Sequence, residues 1–382
     1  MTKVALHNLG CKVNAYETEF IQQMFTKEGY EIVPFAQKAD IYIINTCTVT
    51  NIADRKSRQM LHRAKKKNPE ALVVATGCYV QTDRAEAVKD QSIDLMIGNN
   101  RKKEIVAIVE KYLAANTDLK KDAAVPDINT ETEYEEYRLE QTGEHTRAYI
   151  KIQDGCNQFC SYCIIPYARG RVRSRKPEDV LAEVRGLAAG GYREVVLTGI
   201  HLSSYGLDFH KRQDEQSLSY NTAAADGAFT NKELLSLIGR ISAVAGIRRI
   251  RLGSLEPRVI TEEFLEALAG LEKFCPHFHL SLQSGSDAVL KRMNRQYNTD
   301  EYYEKTKLIR RFFEHPALTT DIIAGFPGET EAEFEETRAF LNKADLYETH
   351  VFKYSRRNGT RADKMPGQLT EREKADRSGR LI

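Results

Sequence analysis

Three cysteines within eight positions are the feature of this sequence best suited to chemistry. The stretch DGCNQFCSYC places them at Cys156, Cys160 and Cys163, in the spacing C-x3-C-x2-C. Cysteine thiolates bind zinc or iron–sulfur clusters, and a closed site of either kind normally has four protein ligands. Three thiolates on a four-iron cluster leave one iron open to a small molecule that binds through an amine and a carboxylate. The loop contains no histidine, and zinc stays the alternative.

A second set of three cysteines is spread over the first 78 residues, at Cys11, Cys47 and Cys78. Each follows a short apolar run that predicts a strand, and a helical pattern comes after each of them. Strand–helix alternation predicts a parallel sheet, whose strand carboxyl ends meet at one edge, where ligands bind. We therefore predict that these cysteines meet in space as a second three-thiolate metal site. The seventh cysteine, Cys275, is predicted to be a packed or half-exposed thiol.

The elements that must position the second set form a predicted domain at 1–114, an open parallel α/β sheet. Its strands are predicted at 3–9, 39–47, 71–78 and 93–99. Its helices are predicted at 14–28, 53–67 and 82–89, and another helix after the last strand is predicted to end near residue 113. Residues 115–146 lose all periodicity and turn acidic, which predicts an interdomain linker whose acids are solvated.

Strand–helix alternation resumes in a second predicted domain, 147–360. Its strands are predicted at 147–153, 194–200, 248–255, 277–283, 318–326 and 348–355, and its helices at 177–189, 231–243, 261–270, 299–313 and 330–342. Six strands are too few for a closed eight-stranded barrel and predict a partial (β/α)6 TIM-like barrel, with active groups at the strand carboxyl ends. Residues 206–230 are predicted to be a surface insertion.

Bulk composition predicts a soluble globular protein of the cytoplasm. Hydrophobic residues make up 41% of the chain and charged residues 29%, with a net charge of +2. No apolar run approaches the roughly 20 residues that span a bilayer, and the N-terminus meets polar residues too early for a signal peptide. The overall charge does not identify a nucleic-acid partner, so local basic patches must be considered instead.

Several motifs of this sequence resemble those of one enzyme superfamily. C-x3-C-x2-C on the first loop of a partial barrel resembles the radical S-adenosylmethionine superfamily. The stretches NLGCKVNAYETE, NTCTVTNIADRKSRQ and ATGCYVQ resemble the N-terminal domain of its methylthiotransferases. Long matches follow in YIKIQDGCNQFCSYCIIPYARGRVRSR, HLSLQSGSDAVLKRMNRQY and DIIAGFPGETE, so the likeness covers nearly the whole chain.

The resemblance implies an enzyme with two [4Fe-4S] clusters, for which all six cysteines are the catalytic ligands. The cluster on Cys156, Cys160 and Cys163 would bind S-adenosylmethionine and cleave it to a 5′-deoxyadenosyl radical, which abstracts hydrogen from the substrate. The cluster on the second set would carry the sulfur to be inserted, methylated by another S-adenosylmethionine. A flavodoxin or ferredoxin would supply electrons, and the enzyme would be a monomer.

The resemblance also implies contacts to S-adenosylmethionine along the barrel's strand ends. The positions that match are Tyr162, Ser254, Glu256, Gln283, Ile323 and Gly325. The second barrel strand, VVLTGIHLSSYG, lacks the Gly-Gly-Glu that many superfamily members use for the methionine amine, so that role is unassigned. His201 in this stretch is a candidate for the pocket, with a packing role as the alternative.

A dense basic segment predicts contact with RNA phosphates. The segment ARGRVRSRK, 168–176, alternates its arginines, so an extended chain would project them on one side. They are Arg169, Arg171, Arg173 and Arg175. A solvated face is the alternative, and the lysines of HRAKKKNPE form a weaker patch.

Two short stretches of the sequence predict which group of methylthiotransferases the protein resembles most, and therefore its substrate. LGCKVNAYETE and SLEP most resemble the group that acts on threonylcarbamoyladenosine in transfer RNA (tRNA). The sister groups act on isopentenylated adenosine in tRNA and on an aspartate of a ribosomal protein. Residues 361–382 are predicted to be a tail that leads to the family's RNA-binding β-barrel, which is absent here. A zinc-dependent RNA-binding protein is the alternative from another class.

Overall fold

The computed structural model describes residues 1–114, 121–140, 147–210 and 231–382. The chain divides into two compact units. The first unit contains Met1–His145, Asp154–Cys156 and Ile164–Arg175, and the second contains Thr146–Gln153, Asn157–Cys163 and Lys176–Ile382. The predicted boundary at 147 therefore misses two segments of the first unit, one on each side of the C-x3-C-x2-C loop.

The first unit is built on a five-stranded parallel sheet of order β2-β1-β3-β4-β5. Its strands are β1 (Lys3–Asn8), β2 (Glu31–Ile32), β3 (Ile41–Thr46), β4 (Leu72–Gly77) and β5 (Leu95–Ile97). Every residue of β3 and β4 is buried, as expected for central strands covered by helices on both faces. The predicted parallel sheet is confirmed, although the two-residue β2 was not predicted.

Helices cover both faces of this sheet. The helices of the first unit are α1 (Lys12–Lys27), α2 (Asn51–Lys67), α3 (Cys78–Thr82), α4 (Arg84–Lys89), α5 (Ile105–Ala114) and α6 (Ile165–Arg169), of which α6 packs on α3. Because side chains alternate along a strand, Ile41 and Ile43 of β3 pack in a cluster with α1 and α5. Tyr42 and Ile44 pack in the opposite cluster with α2, α3 and α4.

Residues 121–140 of the predicted linker dock on the first unit, although most of their acids, such as Asp127, Glu133 and Glu140, are exposed as predicted. Ala124 forms a parallel bridge with Ile97 at the end of β5, and Tyr137 is buried against Tyr16 of α1. Apolar side chains within this acidic stretch therefore dock it onto the first unit. The predicted linker residues 115–120 and 141–146 lie outside the described residues.

Parallel strands also form the second unit, in two sheets of order β10-β9-β6 and β11-β12-β13. The remaining strands of the chain are β6 (Ala148–Lys151), β7 (Gln153–Asp154), β8 (Arg173–Ser174), β9 (Glu194–Thr198), β10 (Arg249–Leu252), β11 (His277–His279), β12 (Ala317–Ala324) and β13 (Glu348–Lys353). Isolated parallel bridges, such as Leu255 with Leu280, connect the two sheets. Within the described residues β6 does not pair with β13, so the six-stranded array is open and the predicted partial barrel is confirmed.

The helices of the second unit are α7 (Pro177–Ala189), α8 (Lys232–Ser242), α9 (Glu262–Ala269), α10 (Asp287–Arg292), α11 (Thr299–Phe312), α12 (Glu331–Ala344) and α13 (Glu371–Leu381). Capping boxes begin α11, α12 and α13, which is why these starts are sharp. The sequence did not predict α10 or α13. The predicted tail at 361–382 instead packs α13 against β13, with Arg377 paired to Glu329 at 2.6 Å.

Two further predictions concern the surface. Of the predicted insertion at 206–230, residues 211–230 lie outside the described residues. Among the residues that the structure describes, no helix combines the length and the apolar character needed to cross a bilayer.

Candidate active site

Cys11, Cys47 and Cys78 gather at the carboxyl edge of the first unit's sheet. Strands β1, β3 and β4 are neighbours in parallel register, so their carboxyl ends are level. Cys47 directly follows β3, Cys78 begins α3 and Cys11 is the N-cap of α1. Gly10 has a φ of +111°, and a Cβ there would lie 2.9 Å from the sulfur of Cys47. Only glycine therefore lets the loop before α1 approach Cys47 this closely.

The pKa values of two of these thiols, Cys11 and Cys47, lie above the ordinary value for cysteine. Burial, followed by the nearby Cys78, raises the pKa of the Cys47 thiol to about 12. Burial also raises the pKa of Cys11, although Arg169 and Asn14 oppose the shift. A bound metal centre would favour the ionised thiolates, because it replaces the protons of the thiols with positive charge.

Asn14 of α1 holds the loops that carry two of these cysteines. Its Nδ2 donates hydrogen bonds to the carbonyl oxygens of Leu9 at 2.8 Å and Thr46 at 3.0 Å. These carbonyls lie just before Cys11 and Cys47 in the chain. The amide of Asn14 therefore fixes the distance between the two loops that carry Cys11 and Cys47, and it does so through protein contacts alone.

Arg169 lies fully buried beside the third cysteine of the set. Its Nε is 3.4 Å from the sulfur of Cys78, and its Nη2 donates to Glu17 at 3.0 Å. Nη1 donates to Asp154 at 3.2 Å, and the buried Lys102 binds Glu17 at 2.7 Å. Burial alone would lower the pKa of Arg169, but Glu17, Cys78 and Asp154 raise it well above its usual value. The site therefore holds a permanent cation against a cysteine sulfur.

The predicted exposed stripe of arginines is wrong for three of its four members. Arg169, Arg173 and Arg175 are each at most 1% exposed. Arg173 donates to the carbonyl of Arg169 at 3.0 Å and Arg175 donates to Glu136 at 2.8 Å. The segment is helical in α6 and extended only in β8, so it does not project its side chains from one face. Arg171 is half-buried.

The first cysteine of the compact set has a tightly restricted backbone. The N–H of Cys156 donates to the carbonyl of Gly170 at 3.0 Å. Gly155, just before it, has a φ of +72°, and a Cβ there would lie 1.8 Å from the backbone oxygen of Arg171. A side chain at position 155 would therefore displace Cys156 or the segment after α6.

The loop that carries Cys160 and Cys163 is attached to the end of α10 within the second unit. The N–H of Ser161 donates to the carbonyl of Met293 at 3.0 Å. The side chain of Asn294 donates to the loop backbone at 3.2 Å. These bonds use backbone and amide groups, which leaves the cysteine sulfurs available as ligands.

Sequence reasoning missed Arg295, which follows the same helix. Its Nη1 is 3.3 Å from the sulfur of Cys160, and its Nε donates to the hydroxyl of Tyr297 at 2.9 Å. Burial and then the charge of Cys160 raise the pKa of Tyr162, while Arg295 opposes the shift. The stretch HLSLQSGSDAVLKRMNRQY contained this arginine, but nothing in its spacing separates it from the other basic residues nearby.

Three of the predicted cofactor contacts lie close together. Tyr162 and Ile323 pack against one apolar cluster that contains Val289, Met293, Phe326, Tyr354 and Ala362. Gln283 has a φ of +74°, and its carbonyl accepts a hydrogen bond from the N–H of Ile323 at 2.9 Å. The arrangement provides an apolar wall beside the loop of Cys160 and Cys163.

The other predicted cofactor contacts have more mixed surroundings. Ser254 is exposed, whereas Glu256 is buried and its carboxylate accepts from the N–H of Arg258 at 3.0 Å. Gly325 is covered by Lys374 of α13, whose Cγ would lie 2.6 Å from an added Cβ. Glu256 therefore caps its own turn, and α13 packs directly on Gly325.

His201 and Cys275 were left without a role by the sequence. The Nδ1 atom of His201 lies 2.6 Å from the hydroxyl of Ser204. Burial, followed by the charge of Arg295, lowers the pKa of His201 to about 3, so its imidazole is neutral at physiological pH. Cys275 is half-buried and burial raises the pKa of its thiol, in agreement with the predicted packed thiol.

Two family models match this chain. Residues 3–98 match a family described as uncharacterized protein family UPF0004, and residues 150–341 match the radical SAM superfamily. Together the two matches include both cysteine sets.

Curated relatives match over nearly the full chain. The threonylcarbamoyladenosine tRNA methylthiotransferase MtaB of Bacillus subtilis is 42% identical over 100% of this chain and 80% of the relative. The Aquifex aeolicus protein of that name is 41% identical, over 98% and 86%. A tRNA-2-methylthio-N(6)-dimethylallyladenosine synthase of Clostridium botulinum is 35% identical, over 98% and 79%.

Solved structures with the same fold include the radical S-adenosylmethionine methyltransferase TsrM of Kitasatospora setae, with cobalamin and a [4Fe-4S] cluster bound. It aligns with a TM-score of 0.62 and 15% identity, over 92% of this chain and 75% of that one. At this identity the likeness shows the fold alone. From the relatives and the family models, the chain belongs to the radical S-adenosylmethionine methylthiotransferase family, and it is a transferase that uses S-adenosylmethionine and the [4Fe-4S] chemistry of that family.

Proposed function

We propose that the protein inserts a methylthio group at C2 of N6-threonylcarbamoyladenosine beside the anticodon of tRNA, with one [4Fe-4S] cluster on each cysteine set. The convergence of Cys11, Cys47 and Cys78 at one sheet edge carries this proposal. Cleavage of S-adenosylmethionine needs only the C-x3-C-x2-C cluster. A second three-thiolate site suits a reaction that must also deliver sulfur.

The side chains around both sets fit iron–sulfur clusters. One arginine N–H reaches a sulfur in each set, from Arg169 to Cys78 at 3.4 Å and from Arg295 to Cys160 at 3.3 Å. Such hydrogen bonds stabilise cluster sulfurs and tune reduction potentials. When bound, the clusters supply the electron that cleaves S-adenosylmethionine and the sulfur that is inserted. The proposal includes a one-electron donor such as flavodoxin or ferredoxin.

The chain's own residues bind and orient the small molecule and exclude water. The apolar wall behind Tyr162 and Ile323 suits an adenine ring and keeps water from the reacting carbon. Gln283 and Ser254, at the ends of barrel strands, are proposed to bind polar groups of the same molecule. The neutral imidazole of His201 can hold a hydrogen bond there without adding charge.

Comparison with relatives supports the threonylcarbamoyl substrate. Two relatives named for threonylcarbamoyladenosine are 42% and 41% identical to this chain, two others of that name are 35% and 34% identical, and those named for dimethylallyladenosine are 35% identical. The dimethylallylated nucleoside is therefore the second candidate. A tRNA substrate would place the enzyme in the cytoplasm.

Helix α2 offers a basic surface for RNA, whereas most of the arginine segment is buried. The helix begins after its N-cap Thr50, three residues beyond Cys47. Its exposed basic side chains are Arg55, Lys56, Arg58, Arg63 and Lys66. We propose that this face binds tRNA phosphates next to the first unit's cysteine edge, with the half-buried Arg171 as a further candidate.

Nucleoside mass spectrometry tests the proposed reaction. The anaerobically reconstituted protein is incubated with S-adenosylmethionine, dithionite and tRNA that carries either threonylcarbamoyladenosine or isopentenyladenosine. We expect 2-methylthio-N6-threonylcarbamoyladenosine from the first tRNA. Conversion of the isopentenylated tRNA alone would overturn the substrate while leaving the chemistry intact.

Triple alanine variants test the two cluster sites separately. Replacing Cys156, Cys160 and Cys163 should remove about half the iron and all cleavage of S-adenosylmethionine, because four-iron clusters on separate thiolate sets contribute equally. The matched variant of Cys11, Cys47 and Cys78 should still form 5′-deoxyadenosine but no methylthio product. A colourless protein with bound zinc would instead support the structural-zinc alternative.

A further inference from the structure

Arg169 is held against the sulfur of Cys78 by packing of the backbone around it. It ends α6, which packs on α3, the helix that begins at Cys78. Asn99 ties the two together, because its Nδ2 donates to the carbonyl of Ala168 at 2.7 Å and lies 3.8 Å from the same sulfur. The 3.4 Å distance from Arg169 Nε to Cys78 Sγ therefore depends on two docked helices.

The guanidinium plane is fixed as well as its position. Both Nη atoms of Arg169 donate to the carboxylate of Glu17, and Nη1 also donates to Asp154. A guanidinium bound in this bidentate way cannot rotate its Nε–H away from the sulfur. A lysine at this position could not reproduce the geometry, because its ammonium is a point charge.

Arg169 belongs to a buried group of charged side chains beside Cys78. The cations are Arg169, Lys102 and Arg173, and the carboxylates are Glu17 and Asp154. Every member is at most 7% exposed in its side chain, so water screens the group weakly.

We propose that Arg169 is a positioning residue that raises the reduction potential of the cluster on Cys11, Cys47 and Cys78, through its Nε–H donated to Cys78. The inference rests on the proposed function, since it requires a [4Fe-4S] cluster on this set. Reduction adds negative charge to a cluster. A fixed N–H donor and a fixed cation beside one of its sulfurs therefore stabilise the reduced state more than the oxidised state.

A redox titration followed by electron paramagnetic resonance tests the inference without any assay of activity. The full chain is used with Cys156, Cys160 and Cys163 changed to Ala, so that the signal comes from the remaining cluster. In Arg169→Gln the ratio of reduced to oxidised cluster at a fixed potential should fall roughly tenfold, or about 59 mV for one electron. Arg169→Lys keeps the charge and should give a smaller fall.

Arg173→Gln is the matched control, because Arg173 is equally buried and contacts Asp154 and the carbonyl oxygens of Arg169 and Glu131. Its variant should shift the potential less than Arg169→Gln. An unchanged potential in Arg169→Gln at normal iron content would overturn the inference. If Arg169→Gln binds no iron, a wild-type potential in Arg169→Lys would overturn the inference. Loss of iron from both variants, with native circular dichroism, would also overturn it. If the Arg169-containing background binds no cluster, the proposed function fails instead.

Discussion

Replacing Glu17 with glutamine removes one negative charge from the centre of the first unit while keeping the side chain's shape. Glu17 is 1% exposed and binds two buried cations, Lys102 at 2.7 Å and Arg169 at 3.0 Å through Nη2. In Glu17→Gln, Arg169 keeps Asp154 as a counterion. Lys102 keeps the amide oxygen of Asn99 as a partner but loses its bond to the carboxylate of Glu17, so the change acts on a buried ammonium group.

The magnitude follows from what Lys102 can do. Removing one partner of a buried ion pair typically costs about 3–5 kcal/mol, because a charge is left uncompensated. Lys102 can limit the cost by losing its proton, which at pH 7 requires about 4.6 kcal/mol for an ordinary lysine pKa near 10.4. We therefore expect Glu17→Gln to lower the free energy of unfolding of the first unit by about 3–5 kcal/mol.

The pH dependence of the loss identifies its cause. A neutral buried Lys102 has a pKa below that of the unfolded chain, so the unfolded state binds more protons and the variant's stability rises with pH. Between pH 7 and pH 9 the deficit should shrink by about 2.7 kcal/mol. Urea unfolding followed by circular dichroism measures this, with hydrogen exchange of α1 and α5 reporting on the first unit itself.

Two further variants distinguish an effect of the charge of Glu17 from an effect of its shape. Glu178→Gln changes an exposed carboxylate paired with Arg240 and should have a far smaller effect, since solvent screens exposed pairs. Adding Lys102→Met to Glu17→Gln should restore stability, because the uncompensated charge is removed. A deficit that does not change with pH, together with no recovery in the double variant, would show that Glu17 acts through shape rather than charge.

Three further predictions concern other parts of the site. The pKa of His201 is about 3 in the folded protein, against 6.5 for an ordinary histidine, so stability should be lost as pH falls below about 6.5. In urea unfolding, the wild type should lose about 2 kcal/mol more than His201→Gln between pH 7 and pH 5. Changing Arg55 and Lys56 to Ala should make the salt slope of tRNA binding shallower by roughly 1–2, and an unchanged slope would remove α2 from the RNA surface. Gly155→Ala should abolish iron binding at Cys156, since its Cβ meets backbone at 1.8 Å, whereas Gly186→Ala, with open space around it, should leave iron content unchanged.

Much of the fold could be predicted because it depends on local patterns. Side chains alternate along strands and repeat every 3.6 residues along helices, so the buried runs of β3 and β4 and the apolar faces of their helices are visible in the sequence. Short elements were missed for the same reason, since β2 has two residues and carries no period. The start of α13 carries a signal in the sequence, because Thr370 and Glu373 have the spacing of a capping box.

The cysteines and the arginines show where sequence-based prediction ends. Cysteines that end adjacent parallel strands must lie at one sheet edge, because the sheet has only one carboxyl edge, and this is independent of the remaining side chains. The arginines at 169, 173 and 175 are different. Their spacing is equally compatible with an exposed phosphate-binding face and with a buried ion-pair network.

Tertiary structure decided between these two arrangements for the arginines. The carboxylate that buries Arg169 belongs to Glu17, 152 positions away in the chain, and the sulfur it reaches belongs to Cys78, 91 positions away. A charged side chain enters a protein interior only where its counterions are already in place. The sequence alone therefore determined that Cys11, Cys47 and Cys78 lie at one sheet edge, because they follow adjacent parallel strands. The packing of α6 against α3 determined that Arg169 contacts the sulfur of Cys78 and is buried rather than exposed.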